Sequence, residues 1–181
     1  MNLRIIAGSF GSRGIKAPRG HATHPMSERI RGALFNSVGP ALKDAEVLDA
    51  FAGSGSIGLE AISRGAKHAT FIERDREAVK VLTGNIELLD CGDVTKVINS
   101  GVASWADRAT QQFDIIFADP PYNDMQLSTV SRLFGLLKPN GLMVLSYPGR
   151  SEAPTGTNGV VVVDNRSYGT AALAFYRRMD V

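Results

Sequence analysis

The stretch 49-DAFAGSGSIG-58 places Gly53, Gly55 and Gly58 in the spacing G-x-G-x-x-G, directly after the apolar run 46-EVLDAF-51. Glycines at such a junction allow a tight turn and close approach of backbone to a ligand, with the amides of the next helix facing it. Glu73 lies twenty residues beyond Gly53, at the end of a second apolar run, 68-HATFIE-73. A carboxylate there can accept ribose hydroxyls. The pattern predicts a strand–turn–helix unit that holds a nucleotide-like cofactor; a turn with purely structural glycines is the plain alternative.

Working outward, the same alternation continues. Strand candidates are EVLDAF, HATFIE, VTKVIN, FDIIFA and GLMVLSY. Helix candidates lie between them, namely SIGLEAISR, DREAVKVLTGNIELL, VASWADRAT and MQLSTVSRLFGLL. Strands rich in apolar β-branched residues, alternating with helices, predict an α/β fold whose parallel sheet is covered on both faces. After Pro148 the alternation stops. GVVVVD and AALAFYRR are joined by NRSYGT, too short for a parallel crossover, so they pair antiparallel at one edge. Ahead of the alternating region, Leu3–Ile6 and Gly14–Lys16 form a candidate hairpin. It precedes a helix over SERIRGALFNSVG, with Ser27 as N-cap and Gly39-Pro40 as its stop.

A chain of 181 residues suits one domain, and 44% hydrophobic with 21% charged residues is ordinary for a globular protein. The single cysteine, Cys91, excludes an internal disulfide and fits a reducing compartment. No apolar run is long enough to span a membrane, and the Gly- and Arg-rich start does not read as a signal peptide, so a cytoplasmic protein is expected. The charge is unevenly spread. Residues 1–31 carry Arg4, Arg13, Lys16, Arg19, Arg29 and Arg31 against Glu28 alone, whereas the remainder is net acidic. A basic N-terminal face that meets a polyanion is one reading, and a solvated surface the other.

The run FDIIFA ends in 118-ADPPY-122. In a doubly wound sheet the ligand crevice opens at the carboxyl ends of the strands that flank the switch in strand order, which brings this corner beside the glycine turn. Two cofactor classes remain open here, a nicotinamide dinucleotide and S-adenosyl-L-methionine. An exocyclic base amine is a weak nucleophile because its lone pair is delocalised into the ring. The Asp119 carboxylate and the Pro120 carbonyl could grip its hydrogens and aim the lone pair at a sulfonium methyl. Pro121 stiffens the corner, and Tyr122 offers a face for a flipped-out base.

Together these segments resemble the class I S-adenosylmethionine-dependent methyltransferases, and more narrowly the RsmD family of 16S rRNA guanine-N2 methyltransferases. The resemblance is carried by RIIAGSFGSRGIKAP, SERIRGALFN, VLDAFAGSGSIGLEAISRGA, FIERD, ADPPY and YGTAALAFY. It implies a Rossmann-like, seven-stranded, mostly parallel sheet of order 3-2-1-4-5-7-6 with the last strand antiparallel. Residues 1–40 would form an RNA-contacting extension of hairpin and helix, and 41–181 the methyltransferase domain. The implied cofactor site comprises Asp49, Phe51, Ala52, Gly53, Gly55, Gly58, Glu73, Arg74, Gly101, Val102 and Asp119; the catalytic corner is Asp119, Pro120, Pro121 and Tyr122. The implied RNA contacts are Arg13, Lys16, Arg19, Arg29 and Arg31. The product would be S-adenosyl-L-homocysteine, the substrate small-subunit ribosomal RNA within an assembling 30S particle, and the protein a monomer.

Two positions depart from the family pattern. His24-Pro25-Met26 stands where Arg-Pro-Thr is usual, and Gly101 where many class I enzymes carry an acidic residue, which leaves adenine contact to the backbone around Gly101 and Val102. Rival readings are an adenine-N6 methyltransferase on DNA or RNA, which usually needs a separate target-recognition region, and a catalytically silent RNA-binding module. His21 and His24 lack the further ligands of a metal site, so none is expected. Trp105 reads as core and Cys91 as a thiol without catalytic use.

Overall fold

The computed structural model describes residues 2–19 and 25–179. His21 and His24 lie outside the described residues. A short antiparallel hairpin, β1 (Asn2–Arg4) and β2 (Gly14–Lys16), leads into helix α1 (Glu28–Val38). Ser27 caps α1 by accepting the Ile30 amide at 3.2 Å, and Gly39, at φ 56°, ends it. The first hairpin strand stops earlier than the apolar pattern suggests, because the Ile6 and Ala7 amides donate to a side chain, the Glu60 carboxylate, instead of to a strand.

The alternating region then gives β3 (Glu46–Asp49), α2 (Ser56–Ser63), β4 (His68–Glu73), α3 (Arg76–Leu88), β5 (Thr95–Asn99), α4 (Val102–Ala106), β6 (Phe113–Ala118), α5 (Leu127–Phe134) and β7 (Leu137–Pro148). The antiparallel pair β8 (Val160–Tyr168) and β9 (Ala171–Arg178) follows. The large sheet has the order β5-β4-β3-β6-β7-β9-β8, with β9 antiparallel to both neighbours and the rest parallel. Counted without the hairpin, this is the order 3-2-1-4-5-7-6 that the resemblance implied. The strands β7 and β8 are longer than the apolar runs that marked them. Pairing with β9 extends β8 through polar residues that carry no hydrophobic pattern, while β7 reaches back to Leu137, which pairs with Phe113 of β6; the link between β8 and β9 shrinks to Gly169-Thr170.

Alternate residues of each strand face opposite sides of the sheet. Leu48, Ile116, Met143 and Leu145 pack with Val130, Leu133 and Phe134 of α5. Val47, Ile115, Phe117 and Val144 pack with Leu34, Phe35 and Val38 of α1 and with Ile57 and Ala61 of α2. Helix α1 thus shares a core with the sheet. Parity along the strands also places Asp49, Asp119 and Ser146 together on the α1–α2 side.

The hairpin is fastened to the sheet by a buried charge cluster. Glu60 of α2, wholly buried, accepts the Ile6 and Ala7 amides at 2.8 and 3.1 Å and the Arg64 Nε at 2.8 Å. Arg31 of α1, also wholly buried, stands 3.6 Å from Glu60 and donates to the Arg4 carbonyl. Removing one partner of such a cluster leaves an uncompensated buried charge, which typically costs about 3–5 kcal/mol. Glu60→Ala is therefore expected to lower the unfolding free energy measured in urea by that amount. A stability equal to wild type would show that the cluster contributes nothing.

Candidate active site

The carboxyl ends of β3, β4 and β6 open on one crevice. At its centre Asp49, 1% exposed, accepts the Gly58 amide through Oδ2 at 3.0 Å, while its Oδ1 has no partner among the described residues. Burial, reinforced by Asp119 and Glu73, raises its pKa from the ordinary 3.8 to about 7. Asp119, just past the end of β6 and half-buried, is raised by desolvation to about 6, with the neighbouring Ser146 hydroxyl pulling the other way. Glu73 is only half-buried and holds the turn in place. It accepts the Gly53 amide at 2.9 Å and the Asp75 amide at 2.8 Å.

The three glycines have different tasks. A Cβ on Gly55, at φ 84°, would come within 2.3 Å of Leu82, and one on Gly58 within 2.3 Å of Phe71, so both are fixed by packing inside the protein. Gly53, at φ 55°, has nothing within 4 Å of a built Cβ and borders open space. The same openness surrounds Gly101, which sits at an ordinary φ of −66°. Thus Gly53 is the glycine that a ligand could approach, whereas a bulky side chain at Gly55 disturbs the fold itself. Helix α2 begins at Gly55 with no side-chain cap.

Around this centre Phe51 is half-buried against the core, Ala52 and Val102 are buried, and Arg74 is exposed beyond Glu73. The Asn99 amide group donates to the Glu73 and Arg74 carbonyls at 2.9 and 3.1 Å, which fixes the rim between β4 and β5. Pro120 is buried and Pro121 half-buried. Among the described residues no backbone donor reaches the Pro120 carbonyl. Tyr122 is 40% exposed, and its hydroxyl lies 2.5 Å from the Ser146 Oγ.

The basic residues separate into two groups. Arg13, Lys16, Arg19 and Arg29 are on the surface, although Arg13 also donates to the Leu88 carbonyl at 2.7 Å. Arg31 is not available to a phosphate, because its guanidinium is wholly buried against Glu60; the charge pattern of the sequence could not separate it from Arg29. Three residues that shape the site have no motif to announce them. Asn85 of α3 donates to the Ser54 carbonyl in the glycine turn and to the Lys16 carbonyl in the hairpin, at 3.0 and 2.8 Å. Glu60 and Ser146 are the others. The only sequence signal for Asn85 and Glu60 is a polar residue on an apolar helix face, and for Ser146 there is none.

A Rossmann-like sheet whose switch point joins an acidic glycine turn to an Asp-Pro-Pro-Tyr corner is the frame of a methyltransferase. The family described as "Conserved hypothetical protein 95" matches residues 3–177. The chain is 37% identical to the Ribosomal RNA small subunit methyltransferase D of Escherichia coli strain K12, over 77% of this chain and 68% of that protein. It is 36% identical to the protein of the same name from Haemophilus influenzae, over 78% and 76%. The solved structure of yhhF from Escherichia coli superposes with a TM-score of 0.89 at 32% identity and covers 99% of both chains. The chain belongs to the RsmD family.

A carboxyl raised from 3.8 to about 7 holds its proton more tightly in the folded protein. Its contribution to stability is full below about pH 4 and lost as pH rises through 7. Asp49→Asn keeps an acceptor for Gly58 and removes the buried charge. In ligand-free protein it is expected to raise stability at pH 8 by roughly 2–4 kcal/mol and to change it little at pH 4. Urea denaturation at the two pH values checks this, and an equal effect at both would refute it.

Proposed function

We propose that the protein transfers the methyl group of S-adenosyl-L-methionine to the exocyclic N2 amine of a guanine in small-subunit ribosomal RNA. The observation that carries the cofactor assignment is the convergence of Asp49, Glu73 and Asp119. Burial and the other carboxylates raise Asp49, and among the described residues no cation offsets them. Such a crevice favours a cationic guest and disfavours the pyrophosphate of a nicotinamide dinucleotide. The orphaned Asp49 Oδ1 and the open faces of Gly53 and Gly101 fit a ligand with an ammonium, a ribose and an adenine. Bound S-adenosyl-L-methionine would supply an electrophilic methyl on a positively charged sulfur.

The chain's own residues would do the rest by positioning. Glu73 is placed to accept ribose hydroxyls, and the backbone at Gly101 and Val102 to border the adenine. Asp119 and the Pro120 carbonyl would each accept one hydrogen of the guanine amine, which turns the nitrogen lone pair towards the methyl. The surplus proton of the methylated amine would leave through Asp119 or water. Tyr122 would present its exposed face to the base. Residues 1–40 would serve as the RNA-contacting extension, through Arg13, Lys16, Arg19 and Arg29. The choice of guanine and of small-subunit RNA rests on membership of the RsmD family and on the small-subunit RNA methyltransferases among its relatives. We place the reaction in the cytoplasm, on an assembling 30S particle, with a monomeric enzyme.

Two outcomes are expected. S-adenosyl-L-methionine should bind more tightly than its neutral-sulfur product, by a ratio that shrinks as pH falls from 8 to 5.5 and the crevice carboxylates protonate. Calorimetry at both values tests the charge argument, and a pH-independent ratio would defeat it. Asp119→Ala should cut single-turnover methylation of undermethylated 30S particles by about a hundredfold or more while cofactor affinity changes far less. Mapping the modified base in the same assay decides between guanine N2 and adenine N6.

The RNA face has its own test. Removal of one phosphate-binding cation should flatten the log–log dependence of RNA affinity on salt by roughly 0.7–0.9. Lys16→Ala with Arg29→Ala should therefore reduce the slope by about twice that and leave cofactor affinity alone. An unchanged slope would remove these residues from the interface.

A further inference from the structure

Ser146 lies in β7, 2% exposed, on a strand whose other interior positions are apolar. A buried hydroxyl carries a desolvation cost that alanine or valine would avoid, so its partners explain its presence. The parallel register pairs Ala118 with Leu145, which carries Ser146 alongside Asp119 on the same face of the sheet. On its other side the register pairs it with Leu173 of β9, so the residue is locked between two strands. Its Oγ is 2.5 Å from the Tyr122 hydroxyl, and as the neighbour of Asp119 across the sheet its hydroxyl opposes the effect of burial on that carboxyl.

A serine hydroxyl has one hydrogen to give and lone pairs to receive. It can donate to Asp119 only if it accepts from Tyr122, which sets one direction along the chain Tyr122 O–H, Ser146 O–H, Asp119 carboxylate. Asp119 and Tyr122 are the two ends of the Asp-Pro-Pro-Tyr corner. The prolines join them covalently on one side; on the other, Ser146 is bonded to Tyr122 and stands beside Asp119 in the register, within the reach of a hydroxyl that turns towards the carboxylate. A Ser146 donor on one Asp119 oxygen would leave the second for an incoming amine hydrogen, while the Tyr122 ring is held by its hydroxyl with a face still exposed.

We propose that Ser146 is a positioning residue for methyl transfer, which closes the Asp119–Tyr122 corner into a ring and sets which carboxylate oxygen meets the substrate amine. This rests on the reading of Asp119 as the acceptor for that amine. The other titratable groups facing Asp119 are Asp49 from the end of β3 and the Tyr122 phenol; Glu73 acts on Asp49 from β4, and β7 offers only Ser146.

The test begins without cofactor or RNA. Carbon-13 NMR titration of the Asp119 carboxyl should show a midpoint about one unit higher in Ser146→Ala, because a donor to the ionised form is lost, and a return towards wild type in Ser146→Thr. Single-turnover methylation of undermethylated 30S particles should then fall about tenfold in Ser146→Ala, with cofactor affinity unchanged, and recover in Ser146→Thr. The double variant Ser146→Ala/Tyr122→Phe should be no slower than Ser146→Ala alone, since both changes cut the same link. An Asp119 midpoint unchanged in Ser146→Ala, or Ser146→Thr no better than Ser146→Ala in both measurements, would overturn the proposal. Asp119→Ala serves as the control. If it transfers methyl at the wild-type rate, the acceptor reading falls and this proposal with it; if it is slow while Ser146→Ala is fast, only the role of Ser146 falls.

Discussion

The desolvation of Asp49 and Asp119 is the constraint around which the rest of the molecule is arranged. Asp49 ends β3 and Asp119 directly follows the adjacent parallel strand β6 on the same face, the first fully buried and the second half-buried. Helix α2 contributes an amide to Asp49 but no countercharge. The folded chain therefore carries an uncompensated electrostatic cost that a positively charged ligand can offset. Membership of a methyltransferase family and the charge of the crevice point the same way, and they are independent observations.

Much of this is legible in the sequence. The strand–turn–helix pattern over 46–63 and the alternation that follows it lead to a parallel sheet, and the short link after β8 to an antiparallel pair at its edge, because each is a local pattern; the full strand order comes from the family resemblance. Topology alone places Asp119 beside Asp49. The residues without a sequence signal owe their roles to distant contacts. Glu60 and Arg31 look like the polar face of two unrelated helices until α1 and α2 are packed, whereupon both are internal. Gly55 and Gly53 look alike in the motif, yet one is wedged against Leu82 and the other borders open space. Ser146 is one serine in an apolar strand, and only the register of β6 against β7 gives it meaning.

The buried cluster of Glu60, Arg31 and Arg64 also bears on how the N-terminal segment works. Its partners include the Ile6 and Ala7 amides just beyond β1, while Asn85 ties Lys16 to the glycine turn. The basic surface is thus held at two points to the same elements that shape the cofactor crevice. A phosphate backbone lying on Lys16 would rest on a segment rigidly registered to Ser54, with no hinge between them.

Strand β9 comes after β8 in the chain but lies inside it, between β7 and β8. Without β9, β7 would have an open hydrogen-bonding edge along Leu142–Pro148, including the position of Ser146. The wall behind the Asp-Pro-Pro-Tyr corner is therefore closed by a strand drawn from beyond β8, so the corner depends on a contact that no neighbouring stretch of sequence supplies.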